Sequence, residues 1–137
     1  MRKLGIDYGD ARIGLAISDP LGMFASGLET YKTVSREKDL QYVANVINQN
    51  DVDIFVVGLP LNMDGTEGVR VEKTKEFCTQ LKPLIKAEIV YNDERLTTVS
   101  AEKMLIESNV RREKRKTVID KLAACLILQS WLDSHSK

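Results

Sequence analysis

Lys3-Leu4-Gly5-Ile6-Asp7-Tyr8-Gly9-Asp10-Ala11-Arg12-Ile13-Gly14-Leu15-Ala16-Ile17-Ser18-Asp19 is the stretch that decides the fold. Two apolar runs flank a turn-rich centre, so Lys3 to Asp7 and Ile13 to Ser18 are predicted to pair as a β-hairpin. Asp7 then stands at or near the end of a buried strand. A carboxylate there is costly to bury and calls for a cation, a metal or a hydrogen-bonded turn. On spacing alone, an Asx-turn role for Asp7 weighs as much as a functional one.

Outward from the hairpin, Met23 to Tyr31 can supply a third antiparallel strand, which Ser26 and Gly27 weaken. The period then changes: Leu40, Val43, Ala44, Val46 and Ile47 follow helical spacing. Asp53 to Gly58 is a short apolar run, as expected of a strand covered on both faces. The turn-rich loop Leu59 to Thr66 leads into a helix predicted from Glu67 to near Pro83. Glu88 to Asn92 is the last strand candidate, followed by Asp93-Glu94-Arg95. Thr97 or Thr98 can cap a helix through about Asn109, and a final helix is predicted from about Thr117 to Trp131. The order implies an α/β fold, a mixed sheet with helices on both faces, in one domain over residues 1–137.

The chain has 20 basic and 20 acidic side chains, so its formal net charge is zero and its overall field favours neither nucleic acid nor membrane. The two cysteines, Cys78 and Cys125, have no CxxC spacing, and the one histidine, His135, stands near the end. That excludes a zinc-finger pattern and points to free buried thiols in a reducing compartment. With no signal-peptide pattern or long apolar run, the expected location is the cytoplasm, away from membranes.

Acids recur at element ends. Asp7 closes the first strand, Asp93 and Glu94 follow the last, and Asp120 lies on the stripe shared by Ala123, Ala124, Ile127 and Trp131. In open α/β sheets, ligands bind at such an edge. Carboxylates converging without cysteine or histidine describe a hard-cation site for Mg²⁺ or Mn²⁺. Each acid also has a plainer explanation: Asp93 or Glu94 pairing with Arg95, and Thr117-x-x-Asp120 serving as a variant capping box. Arg111, Arg112, Lys114, Arg115 and Lys116 form a basic connector before the final helix. Such a cluster can neutralise nucleic-acid phosphates, although a short charge run is more often a solvated loop. Arg12 in the hairpin turn can meet phosphate or pair with Asp7 or Asp10.

Four motifs occur in order along nearly the whole chain. They are Asp7-x-Gly9-x-x-Arg12-x-Gly14-x-Ala16-x-Ser18-Asp19, Val57-Gly58-Leu59-Pro60-Leu61-Asn62-Met63-Asp64-Gly65-Thr66, Asp93-Glu94-Arg95-Leu96-Thr97-Thr98 and Asp120-Lys121-Leu122-Ala123-Ala124. Together they resemble the YqgF family of pre-16S rRNA nucleases and Holliday-junction resolvases. The resemblance implies an RNase H-like fold, with a five-stranded mixed sheet flanked by helices, and metal-dependent phosphodiester hydrolysis. It implies Asp7, Glu94 and Asp120 as the metal-binding, catalytic acids. Arg12, Asn62, Arg95 and Lys116 are implied as substrate contacts. The leading expectation is a Mg²⁺-dependent endonuclease trimming the 5′ end of pre-16S rRNA, with ribosomal particles as partners. Alternatives are a junction resolvase acting on branched DNA, a non-catalytic RNA-binding assembly factor, and an actin-like ATPase suggested by Gly5-Ile6-Asp7-Tyr8-Gly9. Junction resolution favours a homodimer, whereas rRNA trimming needs only a monomer.

Overall fold

The computed structural model describes residues 1–59, 68–93 and 112–135, with the backbone alone at 93 and 112–120. The hairpin forms as the sequence dictates. Strands β1 (Arg2–Tyr8) and β2 (Arg12–Ser18) pair antiparallel, and β3 (Ala25–Lys32) adds to β2, also antiparallel. The turn is tight: Gly9 N–H donates to the Arg12 carbonyl at 3.0 Å, and a Cβ on Gly9 would lie 2.7 Å from that oxygen. Arg12 therefore opens β2 instead of sitting in the turn.

Helix α1 (Arg36–Gln49) starts at Ser35, whose side chain accepts from the Lys38 N–H, an N-cap that satisfies an otherwise unpaired donor. Its buried Asp39 accepts from the Val34 N–H at 2.9 Å. Strand β4 (Val52–Leu59) returns parallel to β1, and after α2 (Val69–Leu81) strand β5 (Glu88–Asp93) lies parallel to β4. The five-stranded sheet has the order β3-β2-β1-β4-β5. This is an RNase H-like arrangement of three antiparallel strands followed by parallel ones.

Strand alternation divides the core in two. Leu4, Ile6, Ile13, Leu15, Phe55 and Val57 point to one face, where they pack with Val43, Ile47, Phe77 and Leu81 of α1 and α2. Ala16 and Val56 belong to the other face, under Ala124, Ile127, Leu128 and Leu132 of the last helix, α3 (Arg112–His135). The apolar run in β4 is indeed covered on both faces.

α3 departs from expectation at its start. It begins by Arg112, not about Thr117, so Arg112, Lys114, Arg115 and Lys116 belong to helix and not to a connector. Thr117 lies inside that helix and cannot cap it, which removes the capping-box explanation of Asp120. Arginine and lysine are good helix formers, and charge clustering alone does not break a helix. The helix predicted from Thr97 or Thr98 to Asn109 falls outside the described residues.

Two contacts fix how α3 crosses the sheet. The Ala25 N–H donates to Gln129 Oε1 at 2.8 Å, and Gly27, further along β3, lies under Lys121 and Cys125. Gly5 of β1 lies under Ala124 and Leu128, so close that a Cβ there would be 2.7 Å from Leu128 Cβ. Towards its N-terminus, α3 therefore advances along β1 towards the C-terminal end of that strand.

Candidate functional site

Asp7 is half-buried, next to last in β1, and has the parity of Gly5; it faces α3. Across the β1–β2 ladder its partner is Gly14, whose own neighbour on β3 is Thr30. On the other side Ile6 is level with Val57, so Gly58 lies beside Asp7, and Gly58 is level with Asn92 of β5. One row thus crosses the sheet as Thr30, Gly14, Asp7, Gly58, Asn92. The row below it, Ala16, Gly5, Val56 and Val90, is small or apolar and supports α3. The acid therefore stands where the apolar floor ends, with a glycine beside it on each neighbouring strand.

The opposite face at this edge carries Tyr8, and Asp10 follows in the turn. Tyr8 turns away from Asp7 onto Phe77, ring centroids 4.5 Å apart, and burial raises its hydroxyl pKa. Asp10 in the hairpin turn pairs with Lys73 of α2 at 3.4 Å. Asp7 and Tyr8 are thus separated by strand alternation into a site-facing acid and a core-facing ring.

Arg12 has the parity of Gly14 and is half-buried at the start of β2, which in this antiparallel pair is the edge where Asp7 stands. Position 120 lies one turn before Ala124 on α3, and the helix carries it towards that same edge. Arg112, Lys114, Arg115 and Lys116 occupy the described start of α3, further along the same path. Asp93 ends β5 with the parity of Ile89 and Tyr91, opposite to that of Asn92. Asn62, Glu94, Arg95 and Arg111 lie outside the described residues.

Among the described residues no three His, Cys, Asp or Glu side chains form a group. Of the three acids assigned from the motifs, Asp7 is the one whose side chain lies among them. Its hard oxygen donors suit Mg²⁺ or Mn²⁺ and not a thiophilic metal. Sequence inspection missed the flanking glycines and Asn92. The signal was there in period-two parity, because Gly5 and Asp7, Gly14 and Ala16, and Val56 and Gly58 each share a face.

The sheet order, with its hairpin, parallel strands and crossing helix, defines an RNase H-like fold. The fold is that of RuvC from T. thermophilus, solved with a Holliday junction substrate, at a TM-score of 0.61 and 15% identity over 98% of this chain and 94% of that one. It is also that of the Fowlpox virus resolvase solved with junction DNA, at 0.58 and 12% identity with both chains fully covered.

The chain belongs to the RuvX family, described as Holliday junction resolvase, whose model matches residues 1–134; this is the family that the four motifs resemble. A Clostridium tetani protein named "Putative pre-16S rRNA nuclease" is 50% identical over 134 residues, 98% of this chain and 97% of its own length. A Halothermothrix orenii protein of the same name is 48% identical over 137 residues, 100% of this chain and 98% of its own length.

Proposed function

We propose that this chain is a metal-dependent endonuclease, a hydrolase of phosphodiester bonds in structured nucleic acid, and that its substrate is the 5′ end of pre-16S rRNA. The observation that carries this is the placement of Asp7 on the α3 face at the carboxyl edge of the parallel strands, between two glycines. Such an acid is positioned to hold a ligand and not to fill a core. The near-full-length relatives at about half identity support rRNA as the substrate. The family description and the resolvase-like fold favour a second reading, cleavage of branched DNA.

In this reading Asp7, Glu94 and Asp120 hold Mg²⁺ or Mn²⁺ by their carboxylate oxygens. Glu94 follows Asp93, the last residue of β5, in the sequence. When bound, the cation supplies positive charge against the phosphoryl oxygens and lowers the pKa of water. The chain positions the scissile phosphate over the glycine-flanked floor. Arg12, Asn62 and Arg95 hold the strand there, and Arg111, Arg112, Lys114, Arg115 and Lys116 neutralise neighbouring phosphates. Cations near a helix N-terminus oppose the helix dipole, a conflict that a bound phosphate relieves. The enzyme works as a single-domain cytoplasmic monomer on ribosomal particles. No described helix is long and apolar enough to cross a membrane.

The test compares a labelled precursor rRNA fragment with a four-way DNA junction, each with Mg²⁺ or Mn²⁺. Wild type should cut the rRNA. Asp7→Asn and Asp120→Asn should each lose more than the roughly 10–100-fold that loss of an outer-shell partner costs. Cleavage of the junction alone selects the second reading. Salt-sensitive binding without cleavage, unchanged in Asp7→Asn, selects a non-catalytic assembly factor.

A further inference from the structure

Charge is sorted between the two faces of the antiparallel strands. Glu29 of β3 stands across from Leu15, on the α1 side, where it accepts from the Tyr42 hydroxyl. Asp10 in the turn pairs with Lys73 of α2, and Asp39 of α1 accepts from the Val34 N–H. Beyond Ala16 and Gly27, the α3 face of β2 and β3 carries Gly14, Thr30, Arg12 and Lys32. Among these described positions there are two cations and no acid.

Arg12 and Lys32 are direct cross-strand partners. The Thr33 N–H donates to the Ala11 carbonyl at 3.0 Å, so Ala11 and Thr33 are a hydrogen-bonded pair. Arg12 and Lys32 are then the closer, non-hydrogen-bonded kind, with Cα atoms about 4.5 Å apart. Like charges directly opposite one another destabilise a sheet. No ion pair or side-chain hydrogen bond joins the exposed Lys32 to another described residue. β3 is an outer strand, and a lysine there can discourage edge-to-edge pairing. An acid at position 32 would also blunt the edge and would attract Arg12, so edge protection does not account for a second cation.

The position of the pair does account for it. Asp7 is level with Gly14, and Arg12 and Lys32 lie two residues, about 7 Å, further towards the carboxyl edge. With strands about 4.8 Å apart, the Lys32 Cα is roughly 12 Å from that of Asp7. Gly14 puts no side chain on the path between them. We propose that Lys32 and Arg12 together seat a backbone phosphate of the nucleic-acid substrate, neighbouring the phosphate cut at Asp7. The guanidinium can engage two phosphate oxygens while the ammonium acts as a point charge, and the anion turns a repulsive pair into a clamp. The inference rests on reading Asp7 as part of the nuclease site. It carries the bound strand over the hairpin towards β3, through a lysine that belongs to none of the four motifs.

Lys32→Gln removes the charge, and Lys32→Glu reverses it opposite Arg12. Arg12→Gln and the double variant Arg12→Gln/Lys32→Gln complete a cycle. Binding of a labelled precursor rRNA fragment and of a four-way DNA junction is measured by anisotropy in EDTA across a salt series. Thermal melting and cleavage with Mg²⁺ are followed beside it. On the nucleic acid that wild type binds, Lys32→Gln should weaken affinity several-fold and lower the salt slope by about 0.7–0.9. Lys32→Glu should bind more weakly still, yet melt no lower than wild type, because the cross-strand charges become opposite. In cleavage, both should raise KM more than they lower kcat. The double variant should lose less than the product of the single losses, since one phosphate is shared. Wild-type affinity and salt slope in both Lys32 variants would overturn the proposal, as would single losses that simply multiply. Asp7→Asn run alongside separates the two levels. If it cuts like wild type, the site reading fails and the seat fails with it; if it stops cleavage while both Lys32 variants bind like wild type, only the seat fails.

Discussion

Asp7 and Gly14 are direct cross-strand partners, so the residue opposite the acid in its own hairpin carries no side chain. Gly58 repeats the situation on the other side. The positions that flank the carboxylate on both neighbouring strands therefore leave room beside it, on the central strand of the sheet. If this opening is what admits metal and phosphate, filling it should abolish activity without unfolding the protein.

Gly14→Val tests this. Valine suits a strand, so the hairpin should be retained. Two methyl groups would stand beside Asp7 on the α3 face. Cleavage and Mn²⁺ affinity are expected to fall by about 10-fold or more, with far-UV circular dichroism unchanged. Normal cleavage in a folded Gly14→Val protein would show that the opening beside Asp7 is not used.

Gly5→Ala should act differently. A Cβ there would lie 2.7 Å from Leu128 Cβ and 3.1 Å from the Ala124 carbonyl oxygen. Both are atoms on or next to the helix backbone, so neither can swing aside, and α3 must lift. Overpacking of this kind costs about 1–3 kcal/mol. A urea midpoint lowered accordingly, with an unchanged m-value, is the expected outcome. Because α3 also carries position 120, metal affinity should fall with it.

Much of this was legible in the chain. The hairpin was, because strand alternation and a Gly-Asp-Ala-Arg turn leave little choice between Lys3 and Ser18. The helical spacing of Leu40, Val43 and Ile47 likewise corresponds to α1. The start of α3 was not: Arg112 to Lys116 carry no apolar period, and five basic residues from 111 to 116 look like a solvated loop by composition. Backbone propensity settles the matter in favour of helix there. The glycine row was illegible for another reason. Parity along one strand is local, but the register that brings Gly58 beside Asp7 and level with Asn92 comes from non-local pairing.

Cys78 offers a test of the α2 face. Burial pushes its thiol up to about 11, against a lowering hydrogen bond with Tyr91, whose hydroxyl burial pushes up to about 12. A folded-state pKa above the unfolded one means that the unfolded chain loses its proton first as pH rises. The stabilisation is complete below about 9 and is lost as pH climbs through about 11. Urea midpoints should therefore drop across this window, and Cys78→Ala should flatten the drop even though it lowers the midpoint at neutral pH. At pH 8 a thiol reagent should leave Cys78 unmodified until the protein is unfolded.

The helical start of α3 predicts unequal roles for the basic residues. At about 100° per residue, positions 112 and 116 continue the stripe of Asp120 and Ala124, and 115 lies about 60° from 112. Position 114 points about 160° away from 112 and 116. If phosphates pass over the carboxyl edge of the sheet, Arg112, Arg115 and Lys116 should count for more than Lys114. Each phosphate contact contributes about 0.7–0.9 to the slope of log affinity against log salt. Arg112→Gln and Lys116→Gln, in an Asp7→Asn background expected to lack cleavage, should each weaken RNA binding and reduce that slope by about this amount. Lys114→Gln should change both by less than half as much. Equal effects from all three would mean that the cluster binds as a diffuse charge and not as an oriented face.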